Sequence, residues 1–180
     1  MYFDSTILWV IPGLLLGLWA QYKVKSTFSK YSKYATRSGV TAERAAAHIL
    51  QHNGAGDVQI AQVAGSLTDH YDPRSNILRL SESVYGSPSI AALGVAAHEA
   101  GHALQKAQNY PFLSLRSVMV PVVNIGSNLS WPIFLAGLIF SWEPLMIAGI
   151  IAFSLVVLFS LITLPVEFDA SRRAVALLNS

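Results

Sequence analysis

The sequence predicts a mainly α-helical integral membrane protein that carries one small cytoplasmic domain with a short antiparallel sheet. Three observations lead there. Apolar residues make up 53% of the 180-residue chain and charged residues only 12%, against about 25% in soluble domains. The apolar residues gather into three stretches without charge, each approaching the roughly 20 residues that a bilayer crossing needs. Between the first and second stretch the pattern turns to amphipathic helix, then to alternation, then to helix again, as expected of a folded polar domain. With no cysteine, disulfides and thiolate metal sites are excluded, and any transition metal has to be held by His, Asp or Glu. A net charge of +2 gives no footprint for nucleic acid.

The first stretch, Thr6 to Trp19, follows Asp4 and precedes Lys23 and Lys25. A secretory signal places positive charge ahead of its apolar core and ends in a small-residue cleavage site, so residues 1–21 read as an uncleaved anchor. Residues 22–40 mix Lys23, Lys25 and Lys30 with Tyr22, Phe28 and Tyr31, the blend that suits a helix leaving the membrane at headgroup level. Thr41 to His52 is amphipathic, with Thr41 as cap, Glu43 in the first turn and Gly54 to end it. Val58, Ile60 and Val63 alternate, and Ile77, Leu78 and Leu80 follow the turn signal Asp72-Pro73, which predicts two or three short antiparallel strands. An extended peptide is expected to pair beside them at about Asn76–Leu80. Ser87 as cap and Pro88 in the first turn open a helix that runs to about Gln108. Together these elements make one domain over residues 22–117.

Val118 to Phe140 and Leu145 to Leu164 form a hairpin of two further membrane segments, residues 118–164. The first of them contains Pro121, Asn124, Ser127, Asn128, Ser130 and Pro132. Such residues usually face protein or water rather than lipid, so this segment is a kinked span or a buried, partly re-entrant segment, or else its polar face lines the active-site cavity. Ten of the twelve Lys and Arg lie between Lys23 and Arg116, and the others are Arg172 and Arg173. Lys and Arg bias sets orientation, which puts residues 22–117 and 165–180 in the cytoplasm and the N-terminus outside. Residues 165–180 read as the start of another helix.

The chemistry is concentrated in His98-Glu99-Ala100-Gly101-His102. His98 and His102 are four apart on a helix and project from one face, which lets two imidazoles bind one Zn²⁺. Glu99 lies about 100° round the helix, where it reaches a water on the metal rather than the metal itself. With five His and five Glu in the chain, this pattern is expected by chance about 0.004 times. A zinc site needs a third protein ligand. His48, His52, His70, Glu82, Glu167 and Asp169 are the candidates. Topology favours Glu167, which follows the third apolar stretch on the same side as the His pair. His48 and His52 repeat the i, i+4 spacing but lack a nearby carboxylate and read as surface residues; His70 is either a turn histidine or part of a substrate site.

The run "DHYDP…NILRLSESVYGSPSIAALGVAAHEAGHALQ", the polar-studded span and "LPVEFDASRRA" resemble the YugP-type neutral zinc metallopeptidases of bacterial membranes, over nearly the whole chain. More distantly, the chain is similar to the HtpX and CAAX-prenyl protease group. The resemblance implies a zincin-like cytoplasmic domain in a bacterial cell membrane, with ligands His98, His102 and Glu167 and Glu99 as general base. Two departures stand out. Ser171 occupies the position, four after the ligand Glu, where the related pattern often has an Asp that orients a ligand His. Family members also continue beyond Ser180 into another hydrophobic segment.

The function expected is zinc-dependent endoproteolysis of membrane or membrane-proximal proteins. The expected partners are a protein or peptide substrate and lipid, with other membrane proteins or a second copy of the chain left open. The alternative is a non-catalytic zinc-binding membrane adaptor. A di-iron oxidase built on Glu99-x-x-His102 fails, because no other Glu is followed three residues later by His.

Overall fold

A computed structural model describes residues 6–179; Asp4 and Ser180 lie outside the described residues. Helix α1, Thr6–Tyr31, runs unbroken from the first apolar stretch into the first half of the basic aromatic segment. Helix α2 spans Ala42–His52. Thr41 stands at its cap position, but its hydroxyl donates to Glu43 Oε1 at 2.6 Å instead of capping a backbone N–H. Gly54, at φ +79°, turns the chain beyond the helix end.

The sheet corrects an expectation. Its strands β1 (Gln59–Val63), β2 (His70–Asp72) and β3 (Ile77–Ser81) lie in the order β1-β3-β2, with β1 parallel to β3 and β2 antiparallel to it. The sheet is therefore mixed, not antiparallel throughout. The cause is the turn. Asp72 Oδ1 accepts from the Arg74 N–H at 2.9 Å and Oδ2 from the Ser75 hydroxyl at 2.6 Å, and Asn76 takes φ +58°, a conformation Asn tolerates. That turn fixes β2 beside β3. Strands β1 and β3 both run opposite to β2, so once β1 takes the remaining edge of β3 the pairing has to be parallel. Consequently β3 is the central strand. The expected pairing of a peptide along Asn76–Leu80 has no free edge to use; the open edges belong to β1 and β2.

Helix α3 spans Ile90–Ala107. Its cap is Ser89, whose Oγ accepts from the Ala92 N–H at 3.2 Å, while Ser87 donates to Ser89 instead of capping. Leu50 of α2, Leu78 and Leu80 of β3, and Ala96 and Leu104 of α3 meet in one core, so α3 is held on one side by α2 and the sheet.

Helices α4 (Pro111–Ile139) and α5 (Glu143–Leu178) form the hairpin. They pack closely: a Cβ at Gly149 would meet Phe134 at 2.8 Å. Residues 165–178 do not begin a new helix. Helix α5 continues without a break past Pro165 and Glu167, and its 36 residues correspond to about 54 Å at 1.5 Å each. The expected boundaries near residues 21, 117 and 164 thus fall inside α1, α4 and α5. Ser127 and Ser130 donate to carbonyls of their own helix, Asn124 O and Ser127 O, which satisfies them without an outside partner. Helices α4 and α5 are long and apolar enough to cross a membrane, and only 17% and 6% of their most apolar windows are buried in the protein. A core helix would be mostly buried, so these faces are left for something other than the protein interior.

Candidate metal centre

Two helices build the site, and a glycine brings them together. A Cβ at Gly101 would lie 2.8 Å from the Ala170 carbonyl oxygen, so α3 and α5 touch backbone to backbone there. Glu167, three residues before Ala170, then faces the His pair on α3. Its Oε2 lies 3.2 Å from His98 Nε2 and 3.3 Å from His102 Nε2. The three donor atoms all lie within 4.8 Å of one another. Two donors bound tetrahedrally to one zinc, each about 2.0–2.1 Å away, are separated by about 3.4 Å; the two Glu167–His separations match this, and the chemistry of the set suits the ion.

The far side of each imidazole is also engaged. Gln105 is fully buried. Its Nε2 donates to Val166 O at 2.8 Å and to Asp169 Oδ2 at 2.9 Å. Both are acceptors, which fixes the amide: Oε1 is the atom 3.0 Å from His102 Nδ1, and Nδ1 carries the proton. His102 Nε2 is left to face Glu167. A lone pair against a carboxylate would be repulsive, so that nitrogen calls for a cation or a second proton. His98 Nδ1 lies 3.2 Å from Ser171 Oγ; the residue that departs from the related pattern is in contact with a ligand-set His all the same. Asp169 turns away from the His pair, accepting from Gln105 and from Arg173 Nε at 2.6 Å.

Charge is distributed unevenly over the group. Hydrogen bonds with His102 and then His98, helped by the Arg116 guanidinium 3.9 Å from Oε1, hold the Glu167 carboxyl below the usual range. Burial pulls His102 down, but hydrogen bonds with Glu167 and Gln105 and the charge of Glu99 outweigh it, and its pKa is raised. Burial pushes the Glu99 carboxyl up, against the charges of His102 and His98 and the Tyr71 N–H that donates to Oε2 at 3.0 Å. Glu99 stays outside the three-donor group.

The other ligand candidates are elsewhere. His70 is exposed with Nδ1 near Thr68 O, His48 and His52 stack on each other on α2, and Glu82 is exposed in the turn after β3. No second donor group of this kind occurs among the described residues. A groove opens beside His98 and Glu99, lined from α1, α3 and the loop before β2; Asn124 and Asn128 take no part in it. Sequence reasoning missed Gln105, Arg116 and the Tyr71 N–H, and had Ser171 only as a departure from the related pattern. Helical spacing could have found Gln105, three after His102. Arg116 and Tyr71 arrive through tertiary packing and leave no local signal.

The family described as "Putative neutral zinc metallopeptidase" matches residues 6–180. The chain belongs to this family. It is 51% identical over 164 residues to the protein named "Putative membrane protease YugP" of Bacillus subtilis (strain 168), a match covering 91% of this chain and 73% of that one. No solved structure matches the chain significantly. Membership among the neutral zinc metallopeptidases implies zinc, and the His98, His102 and Glu167 group is the place among the described residues whose donors suit it.

Proposed function

We propose that the chain is a zinc-dependent membrane endopeptidase in which His98, His102 and Glu167 hold the ion and Glu99 is the general base. The observation that supports this most directly is the convergence of two imidazole nitrogens and one carboxylate oxygen, with a second carboxylate beside them but outside the set. Bound zinc supplies a Lewis acid that polarises a carbonyl and lowers the pKa of water. The chain's own residues do the rest. Glu99 Oε2 is steadied by the Tyr71 N–H, so Oε1 takes one proton from the attacking water. The water oxygen bonds to the scissile carbonyl carbon, the C–N bond breaks, and Glu99 returns its proton to the leaving amine. A carboxylate beside the metal group but outside it is suited to both accepting and returning that proton.

In this reading α4 and α5 cross the bilayer, the apolar half of α1 anchors the chain, and the metal group faces the cytoplasm. The exposed apolar faces of Leu14, Leu15, Val118, Ile139, Ile151 and Phe153 support it, as does the Lys and Arg distribution. The substrate is a protein or peptide at or near the membrane.

Glu99→Gln tests the chemistry. Zinc content should be unchanged and cleavage of membrane proteins should fall by about 10² or more, the usual range for acid–base catalysis. Wild-type turnover in that variant removes Glu99 from the role. Zinc-loaded protein that cleaves nothing with or without Glu99 favours the adaptor reading.

A further inference from the structure

A groove of about 600 Å³ lies between α1 and α3 and ends at His98 and Glu99. Its walls are mostly apolar: Val24 and Phe28 of α1, Leu67 from the loop between β1 and β2, and Val95 of α3. Two features of it have no explanation in the packing of the protein. The first is Gly94, on the groove floor one helical turn before His98 and on the same face. A glycine inside a helix weakens it relative to alanine, and at Gly101 close backbone contact explains that choice. At Gly94 a Cβ would meet nothing within 4 Å. The missing side chain leaves only depth in the groove.

The second is Leu67, held at φ +56°, where a bulky residue is rare and strained. The loop is braced against that cost. The Thr68 hydroxyl donates to Ala64 O at 3.0 Å, and the Asp69 carboxylate accepts from the Ser81 N–H at 2.7 Å and the Ser81 hydroxyl at 2.9 Å. Backbone strain maintained by its surroundings clusters at ligand-binding positions, and here it presents an apolar side chain to the groove. With Asp69 engaged by Ser81, the walls next to His98 offer little for a polar group. The volume lies within the roughly 300–1,000 Å³ of ligand pockets.

Resting on the peptidase reading, we propose that this groove binds a bulky apolar side chain of the peptide substrate next to the scissile bond, with Gly94 setting its depth and Leu67 its wall. Discrimination by an apolar pocket of this kind runs at about 10–200-fold per missing methylene or more.

The test compares zinc-loaded wild type and Gly94→Leu for binding of dipeptide hydroxamates bearing Gly, Leu or Phe, and for cleavage of a peptide library varied at the residues flanking the cut. Wild type should favour Phe and Leu over Gly by about tenfold or more. Gly94→Leu should keep its zinc and lose that preference. Gly94→Ala should raise the thermal midpoint while weakening Phe selectively, an outcome that a purely structural glycine would not give. Equal binding of the three hydroxamates by wild type, or an unchanged preference in zinc-loaded Gly94→Leu, overturns the proposal. If Gly94→Leu does not fold, Leu67→Ala decides: a preference shifted toward larger side chains supports the groove, and an unchanged one overturns it. Selective hydroxamate binding with no peptide cleaved removes the peptidase reading and leaves the groove as an apolar binding site.

Discussion

At the scale of single residues, Gln105 is the most constrained side chain near the metal group. It is buried, it makes three hydrogen bonds, and its amide can face only one way. Partners that orient a ligand His are worth about 10–100-fold in metal affinity, so Gln105→Leu should weaken zinc by about that factor in chelator competition. Asp169→Asn, one step further out, should cost no more. Glu167→Gln, which removes a donor, should cost orders of magnitude more than either. A titration at Asp72 is independent of the metal. The Ser75 hydroxyl first, then the Arg74 N–H and Arg79, lower its carboxyl from 3.8 to about 2. The folded pKa lies below the unfolded one, so its contribution to the turn is present above about pH 4 and lost as pH falls towards 2. Faster exchange of the Arg74 amide on acidification through that window is the expected sign. Neither network was legible in the sequence as a network. The participants are spread over α3, α5 and a turn, and only the i+3 and i+4 relations were available to a reader of the chain.

At the scale of elements, helices were legible and pairings were not. Amphipathic period and cap residues located α2 and α3 to within two or three residues, because those signals are local. Strand existence was legible for the same reason. The parallel register of β1 on β3 was not, since it follows from which edge of β3 the Asp72 turn leaves open. The continuity of α5 was misread because the charge-free run stops at Leu164 and Glu167, Arg172 and Arg173 follow, whereas the helix leaves its apolar stretch and runs on through Pro165, as a helix can when its surroundings accommodate the lost bond. Gly101 gives the sharpest test at this scale. Gly101→Ala places a Cβ 2.8 Å from a backbone oxygen, and backbone does not yield as a flexible side chain does. The α3–α5 contact should open at a cost of about 1–3 kcal/mol, and zinc affinity should fall with it although no donor has changed. Unchanged affinity would mean that the site tolerates a wider helix separation than this contact implies.

At the scale of the whole molecule, the proposed orientation rests on the Lys and Arg distribution, by which residues 22–117 are expected on the cytoplasmic side. A reporter fused near Ala55 should read cytoplasmic and one inserted near Glu143 external; the reverse pattern overturns the orientation. The three-donor group was legible in outline, since the His pair is a local motif and the return of the hairpin points to Glu167. Its completeness depends on order of synthesis as well as geometry. His98 and Glu167 are 69 positions apart, with both apolar segments between them. At about 5–20 residues per second of translation, His98 leaves the ribosome about 3–14 s before its carboxylate partner. A chain with its hairpin unmade holds two donors, too few for a structural or catalytic zinc site. On the proposed ligand set, metal binding therefore waits until α5 has packed against α3, and acquisition of zinc reports that this contact has formed.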